Sequence, residues 1–227
     1  MRVAPLPVLY FLLTAGCTET PTSQPVAASL TLASNSRFQR IKGDFYRNQA
    51  GRLFEKRESI EGEGAVPGSW YDSTVAARKA SGPVAVPLSE VLDLVSYQEL
   101  GNSQFSKDRR HVYYSYPNSG GGFRAVVSGA DPATFRASPD YQYGFDARHG
   151  YYCDRQLPGL NVRRRQLLYE DTVAHFAAYV KDDRRVFYQS EPVAGADART
   201  FHLVRGRAWE AEDKNHRYQC CGQQFRP

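Results

Sequence analysis

Aspartate recurs at similar intervals along the second half of this 227-residue chain, in segments that have the composition of tight turns. The four positions, separated by 38, 36 and 31 residues, are Asp108, Asp146, Asp182 and Asp213. Carboxylates in loops can bind Ca²⁺, but calcium loops usually gather several carboxylates within about a dozen residues. Here the neighbours are mostly Arg, Lys and His. We therefore predict that each carboxylate shapes a turn by accepting hydrogen bonds from backbone N–H groups one or two residues ahead.

Histidine takes nearly the same turn position in three of these segments, at His111, His149 and His216. A repeated histidine can bind metal or respond to pH. The sequence has no Cys-x-x-Cys or His-x-x-x-His spacing and no Gly-x-Ser-x-Gly elbow, which are signatures of common metal sites and of one class of serine nucleophile. We predict exposed polar turn residues without catalytic groups, metal or cofactor, and hence a protein that is not an enzyme.

Cys17 ends an N-terminal stretch that is typical of an export signal. A short positive start at Met1-Arg2 precedes mostly apolar residues 3–13, a length that suits a secretory signal rather than a membrane span;. Leu13–Gly16 then lead to the cysteine. This segment resembles the bacterial lipobox, although the favoured leucine stands one place too early. The resemblance implies cleavage before Cys17, diacylglycerol on its sulfur and acylation of the new amino group.

Residues 18–29 are small, polar and rich in proline, which predicts a flexible tether behind the lipid;. Two or more acyl chains give stable attachment to a bilayer. In bacterial sorting, Asp after the lipidated cysteine marks retention in the inner membrane, so Thr18 implies the outer membrane in a host that has one. The alternative is an ordinary cleaved signal in which Cys17 is incidental. No later stretch has eighteen consecutive apolar residues, so we predict no transmembrane helix;.

Three further cysteines remain: Cys153, Cys220 and Cys221. An exported chain meets an oxidising compartment, where disulfides form and persist. Cys153 and Cys220 end the aromatic strands of two of the aspartate segments, in Tyr-Tyr-Cys and Tyr-Gln-Cys. We predict a disulfide between Cys153 and either Cys220 or Cys221, and the sequence does not choose between them.

The aspartate segments belong to a longer repeat of turn followed by aromatic strand. The β-branched and aromatic residues after each turn, as in Val112-Tyr113-Tyr114, favour strands. A second element precedes the turns in Gly129–Phe135 and Gly195–Phe201, with weaker versions at Asp93–Tyr97 and Asp171–Phe176. It predicts a single helical turn capped by Asp, with the aromatic four residues on packed beneath it. Each unit is then strand, tight turn, two strands and a helical turn.

These residues resemble the DKNYY repeat family of exported bacterial proteins, over about Pro87 to Tyr218. Only Asp213-Lys214-Asn215 keeps the family's turn triplet, and that copy has Gln219 where the family has its second tyrosine. The resemblance implies a mainly β fold of tandem antiparallel β-hairpin repeats, each with a short helical turn. Neighbouring units must stack, because one unit cannot bury its apolar face alone. The family has no assigned activity, so the resemblance implies an architecture and no reaction.

The domain boundaries follow from these patterns. Residues 1–16 are the predicted signal peptide and residues 17–29 the lipidated cysteine and tether. Residues 30–86 are predicted to hold one β-hairpin, around Gly43–Phe54, and an irregular loop rich in Gly, Ser and Pro between Glu61 and Gly82. Residues 87–227 are the repeat region, which begins with a short helix at Pro87–Leu92.

The sequence bounds the function without naming a reaction. The net charge of +5 is spread over scattered arginines, apart from Arg163-Arg164-Arg165, and does not predict a nucleic acid partner;. We predict a lipid-anchored protein of the cell envelope, a non-enzymatic binding or structural module whose partner is an envelope protein or a glycan. Exposed Tyr and Arg would stack on a carbohydrate. The alternatives are an immunity or inhibitor lipoprotein against a periplasmic toxin or hydrolase, and an undetected envelope hydrolase.

Overall fold

Short β-strands account for nearly all of the regular secondary structure in a computed structural model of the chain, as the sequence predicts. The structure describes residues 38–57, 69–79, 82–101, 103–117, 122–140, 142–169, 177–205, 207, 210–219 and 223–225. These residues form five sheets that follow one another in chain order. None of the helices in this part of the chain is long and apolar enough to cross a membrane.

The first sheet is formed by β1 (Gln39–Lys42), β2 (Phe45–Arg47), β3 (Leu53–Arg57) and β4 (Ser69–Tyr71), paired in that order. The second sheet contains β5 (Ser73–Lys79), β6 (Gly82–Pro87), β7 (Gln98–Glu99), β8 (Phe105–Lys107), β9 (Val112–Tyr116) and β10 (Phe123–Val126). Its strand order is β6-β5-β10-β9-β8-β7, and β5 pairs with β10 in parallel. All other strand pairs among the described residues are antiparallel, which confirms the predicted hairpin repeats.

Three four-stranded sheets follow, each with its strands paired in chain order. The third sheet is β11 (Arg136–Ala137), β12 (Tyr143–Phe145), β13 (Gly150–Tyr152) and β14 (Arg155–Leu157). The fourth is β15 (Gln166–Tyr169), β16 (Ala177–Lys181), β17 (Val186–Tyr188) and β18 (Glu191–Pro192). The fifth is β19 (His202–Leu203), β20 (Ala211–Glu212), β21 (Arg217–Gln219) and β22 (Gln223–Phe225). We call strands β7–β10 and these three sheets repeats 1 to 4.

Helix is confined to two short segments of the described chain. Helix α1 (Leu88–Val91) lies between β6 and β7 and confirms the short helix predicted at the start of the repeat region. A 3-10 helix, Val162–Arg164, lies between repeats 2 and 3.

The predicted irregular loop between Glu61 and Gly82 is partly wrong. Residues 58–68 and 80–81 lie outside the described residues, but 69–79 form β4 and β5. Strand β5 pairs with β6 on one side and with β10 on the other. The segment forms a strand because it pairs along its length with β6 and also with β10 at Val75, which satisfies its backbone polar groups;.

Aromatic side chains form the core. Repeats 1 to 3 share one buried cluster, a second joins repeats 3 and 4, and a third joins the first sheet to α1 and repeat 1. The largest fully buried side chains are seven tyrosines and five phenylalanines: Tyr113, Tyr114, Tyr143, Tyr151, Tyr152, Tyr179, Tyr218, Phe54, Phe105, Phe135, Phe187 and Phe201. Tyrosine is therefore used mainly as a core residue, and Tyr169 is the large exposed aromatic among the described side chains.

Candidate functional site

The aspartate that leads each turn is a buried hydrogen-bond acceptor, as Asp146 shows. Its Oδ1 accepts the backbone N–H groups of Arg148 and His149 at 2.7 and 2.6 Å. Its Oδ2 accepts the backbone N–H of Asp131 and the hydroxyl of Tyr151, both at 3.1 Å. The carboxylate thus closes its own turn and holds the preceding helical turn. Its turn partners lie two and three residues ahead, which corrects the predicted one or two.

The other three repeats have the same arrangement, and we call these residues the clamp aspartates. The Oδ1 atoms of Asp108, Asp182 and Asp213 accept backbone N–H groups two and three residues ahead at 2.7–2.8 Å. Their Oδ2 atoms accept the backbone N–H of Asp93, Asn161 and Asp197, respectively, at 2.7–2.8 Å. The clamp aspartates are the four that the sequence analysis singled out, and they lie in four separate repeats.

A tyrosine hydroxyl completes three of the four clamps. Tyr113, Tyr151 and Tyr218 stand five residues after the clamp aspartate and donate to its Oδ2 at 2.7–3.1 Å. Repeat 3 has Phe187 in this position, so Asp182 lacks the fourth donor. Repeat 3 therefore departs from the other repeats at its turn.

The helical turn between sheets, which we call a joint segment, also accepts a hydrogen bond from the clamp turn. In Asp131–Phe135, Asp131 caps its own turn by accepting from Ala133 N–H and from the Thr134 hydroxyl at 3.0 and 2.7 Å. Thr134 Oγ1 in turn accepts the backbone N–H of Ala147 in the clamp turn at 3.1 Å. Ser96 and Thr200 make the matching contacts in Asp93–Tyr97 and Asp197–Phe201. These residues confirm the predicted capped turns and their buried aromatics.

The joint segment before repeat 3 is Asn161–Arg165, which the sequence analysis missed. Asn161 Oδ1 accepts Arg163 N–H at 3.2 Å, as a capping aspartate would. Arg164 stands where the other joints have Ser or Thr, and it binds Asp183 of the clamp turn through an ion pair of 3.0 Å. The predicted element at Asp171–Phe176 lies outside the described residues. Asn161 is 21 residues before its clamp aspartate, compared with 15 or 16 in the other repeats, which hid the match.

Hydrogen bonding lowers the pKa of three of the clamp aspartates, Asp146, Asp182 and Asp213. Burial raises the pKa of Asp182, but the backbone N–H groups of Asn161, Arg184 and Arg185 outweigh burial and hold that pKa below its usual value;. The same balance lowers the pKa of Asp146 and Asp213. The clamp carboxylates are already occupied by donors, so they hold backbone rather than substrate. No group of three metal-ligating side chains occurs among the described residues.

Lysine fastens the joint segments before repeats 2 and 4 to the preceding sheet. Lys107, directly before a clamp aspartate, donates through Nζ to Pro132 O at 2.7 Å and to Phe135 O at 3.4 Å. Lys181 makes the same pair of contacts with Ala198 O and Phe201 O at 3.0 and 2.6 Å. The lysines thus bind the carbonyl oxygens of the second and fifth residues of the next joint segment.

The first sheet uses the same device. Lys42, at the end of β1, donates to Leu94 O and Tyr97 O at 2.9 and 2.7 Å, which are the carbonyls of the second and fifth residues of the joint before repeat 1. The hairpin around Gly43–Phe54 is therefore attached to the joint segment before repeat 1 by a lysine, as in the joints before repeats 2 and 4.

In the joint between repeats 2 and 3, the cation and the aromatic residue have exchanged positions. Phe145 takes the position of the lysine, and Arg165 takes the position of the buried aromatic in the joint segment. The Arg165 guanidinium lies over the Phe145 ring at 4.2 Å from its centroid. A cation–π contact of this kind is worth about 0.5–1 kcal/mol when exposed and more when desolvated.

A buried ion pair links the first sheet to repeat 1, and sequence reasoning did not find it. Arg124, 4% exposed, binds Glu55 through two hydrogen bonds and donates to Ser106 Oγ at 2.6 Å. Its guanidinium lies 5.5 Å from the ring centroid of Tyr97, and the Phe45 and Tyr113 rings are at 5.8 Å. Burial raises the pKa of Glu55, but Arg124 and Arg57 outweigh it and lower that pKa to about 2. The pair is 69 residues apart in sequence, so no local pattern signals it.

A second buried polar group lies in repeat 2. Ser138 Oγ, Asp140 Oδ2 and Tyr143 Oη are buried and lack a hydrogen-bond partner of standard geometry among the described residues. Asp140 Oδ1 accepts the Tyr143 N–H at 3.1 Å, and burial raises the Asp140 pKa. A buried water commonly satisfies polar atoms of this kind.

The predicted cysteine site is only partly described. Cys153 is disulfide-bonded, while Cys17, Cys220 and Cys221 lie outside the described residues. The choice of Cys220 or Cys221 as partner stays a prediction. Cys153 has a positive φ of 54° at the first position of the β13–β14 turn, a conformation that is unusual for a residue with a side chain;.

The three repeated histidines lie apart, one in each of repeats 1, 2 and 4. His149 Nδ1 is 3.6 Å from Asp146 Oδ2 and His216 Nδ1 is 3.8 Å from Asp213 Oδ1. His111 Nδ1 is 3.5 Å from the Tyr113 hydroxyl. The histidines are half-buried beside their clamps and are not brought together into one site.

At the edge of repeat 3, an open cavity of about 280 Å³ lies between the joint segment and the clamp turn. Its lining contains three arginines and two aspartates and consists of Gly159, Asn161, Arg164, Asp182, Asp183, Arg184 and Arg185. This surface is the candidate binding site of the described residues. Comparison of the chain with protein-family models, with curated proteins and with solved structures gave no match.

Proposed function

We propose that this protein is a lipid-anchored component of the bacterial cell envelope, held by acyl chains on Cys17 and acting as a non-enzymatic binding or structural module. The export signal and lipobox-like residues 1–17 and the tether at 18–29 support the location;. The similarity to exported DKNYY repeats supports the same setting. The outer membrane is the proposed site in a host that has one, because Thr18 follows the lipidated cysteine.

The observation that supports a non-enzymatic role is the use made of the repeated polar residues. The four clamp aspartates accept backbone N–H groups, and Lys42, Lys107 and Lys181 donate to backbone carbonyls. The residue types that catalysis commonly uses thus serve to build an array of sheets. An array of this kind presents an extended surface, which suits binding to an envelope protein or glycan.

The charged surface changes the expected chemistry of that binding. Sequence reasoning placed exposed Tyr and Arg on a carbohydrate, but most described tyrosines are buried in the core. The arginines of repeat 3 remain exposed. A partner that carries negative charge therefore fits the described surface better than one recognised by aromatic stacking.

Metabolic labelling with palmitate tests the anchor. Cells expressing the wild-type chain, Cys17→Ser and Cys153→Ser are grown with radiolabelled palmitate, and the protein is immunoprecipitated. We expect label in the wild type and in Cys153→Ser, which keeps the lipidation site, and none in Cys17→Ser. Equal labelling of Cys17→Ser, or an unlabelled wild type, contradicts the anchor. Covalent crosslinking of the full chain in intact cells then identifies what it binds.

A further inference from the structure

Repeat 3 carries an excess of positive charge that its sister repeats lack. Five arginines lie on the joint segment and the clamp turn, against two aspartates: Arg163, Arg164, Arg165, Arg184 and Arg185, with Asp182 and Asp183. In repeats 1 and 4 the joint aspartate instead neutralises a clamp-turn cation, through Asp93–Arg109 and Asp197–Lys214 ion pairs of 2.8 Å each. Asn161 replaces that aspartate in repeat 3, which removes one negative charge.

The internal contacts of repeat 3 leave part of this charge unmatched. Arg164 pairs with Asp183, Arg165 covers the Phe145 ring and Arg185 donates through Nη1 to Gly159 O. The guanidinium groups of Arg163 and Arg184 have neither an ion-pair nor a hydrogen-bond partner among the described residues. Both side chains are exposed, and Arg184 lines the cavity.

The two aspartates in the cavity wall do not cancel the attraction for an anion. Asp182 is 5% exposed, and both of its oxygens are occupied by backbone N–H groups of Asn161, Arg184 and Arg185. Asp183 is held by Arg164. An entering anion therefore meets three guanidinium groups, with Asp182 occupied by backbone donors and Asp183 paired with Arg164.

Phosphate fits this cavity better than a carboxylate. The planar guanidinium group presents paired N–H donors that match the oxygens of phosphate and carboxylate alike. A phosphate monoester carries about −1.5 to −2 charges near pH 7 and three acceptor oxygens. Three arginines from two segments line one open cavity, which is more positive charge and more donors than a single carboxylate can use.

We propose that the repeat 3 cavity binds a phosphate group, supplied by free phosphate or by an anionic lipid headgroup. This inference rests on the proposed binding role and names the chemistry of the ligand. It does not depend on the acyl anchor. Arg164, Arg184 and Arg185 contact the phosphate, and Arg163 adds positive potential at the rim of the cavity.

Titration calorimetry with inorganic phosphate tests the cavity. The full chain carries Cys17→Ser, so that acyl chains are absent, and is compared with the added pair Arg164→Gln and Arg184→Gln. The matched control adds Arg148→Gln and Arg199→Gln, which remove the same charge from exposed turn positions in repeats 2 and 4. We expect phosphate affinity to fall by about tenfold or more in the first variant and to stay within about twofold in the control, because charge-assisted hydrogen bonds are lost only in the first.

Vesicles identify the source of the phosphate. The same three proteins are mixed with vesicles of phosphatidylcholine, with and without phosphatidylglycerol, and sedimented. Binding to phosphatidylglycerol that falls only in the repeat 3 variant identifies a lipid headgroup, whereas a fall confined to inorganic phosphate identifies a free phosphate ligand. Absence of phosphate binding, or equal losses in the two variants with unchanged unfolding midpoints, overturns the proposal. Palmitate labelling is unaffected by this result, so the anchor and the cavity can fail separately.

Discussion

Removing a clamp aspartate is expected to cost far more stability than removing its sequence neighbour. Asp182 and Asp183 are adjacent, yet Asp182 is 5% exposed and accepts three backbone N–H groups at 2.7 Å, whereas Asp183 makes one ion pair on the surface. Leaving three partly buried donors without an acceptor costs about 1 kcal/mol each. We predict that Asp182→Ala loses about 3 kcal/mol of unfolding free energy and that Asp183→Ala loses about 0–1 kcal/mol.

Urea unfolding followed by far-UV circular dichroism measures the difference. Both variants lose one negative charge of the same residue type, so any effect of net charge is common to them. Equal losses in the two variants, or a loss below about 0.5 kcal/mol in Asp182→Ala, would show that the turn closes without its carboxylate.

The same residue predicts a dependence on pH. Hydrogen bonding holds the folded-state pKa of Asp182 below the unfolded value, near 3.8. A carboxyl with a lowered folded pKa contributes stability that is present above the unfolded pKa and is lost as pH falls through the folded pKa. The difference in stability between wild type and Asp182→Ala should therefore be largest near neutral pH and should shrink below about pH 4. A constant difference down to pH 2 refutes the charged-clamp explanation.

Further predictions follow from the other contacts, each measured as a change in unfolding free energy. Tyr151→Phe removes a donor to Asp146 and should cost about 1 kcal/mol;. Phe187→Tyr supplies the hydroxyl that repeat 3 lacks and should be neutral or stabilising. A loss above about 1 kcal/mol in Phe187→Tyr contradicts the proposed role of the tyrosine hydroxyl. Glu55→Gln leaves the Arg124 charge buried and should cost about 3–5 kcal/mol near pH 7, while the contribution of wild-type Glu55, whose pKa is about 2, should persist until pH falls through that value;. Gly144→Ala places a Cβ 2.2 Å from the Phe135 ring and should cost about 1–3 kcal/mol, so an unchanged midpoint would show that the ring yields freely;.

The sequence predicted the features that short segments of the chain encode on their own, namely the turns and strands. An aspartate followed by polar residues and Val-Tyr-Tyr encodes its turn and strand within about nine residues, and the mainly β repeats are confirmed. The Asn161 joint was missed because its spacing and its capping residue both differ from the other repeats.

Long-range contacts carried no signal in the sequence. Arg124 meets Glu55 across 69 residues, and Lys107 meets a carbonyl 25 residues later, so neither leaves a pattern within one window. The pairing of β5 with β10 was missed because β10 lies about fifty residues further along the chain. The candidate cavity likewise combines two segments whose closeness depends on the clamp of Asp182.

The lysine joints have a consequence for how this chain can change over time. Lys42, Lys107 and Lys181 donate to main-chain oxygens, which every amino acid possesses. Substitutions in the joint residues that they hold leave that attachment intact, provided the helical turn still forms. Copies of the unit are then free to diverge in sequence while the assembly keeps its geometry. The common origin of such proteins would remain visible in the spacing of a few polar residues after overall sequence identity has been lost.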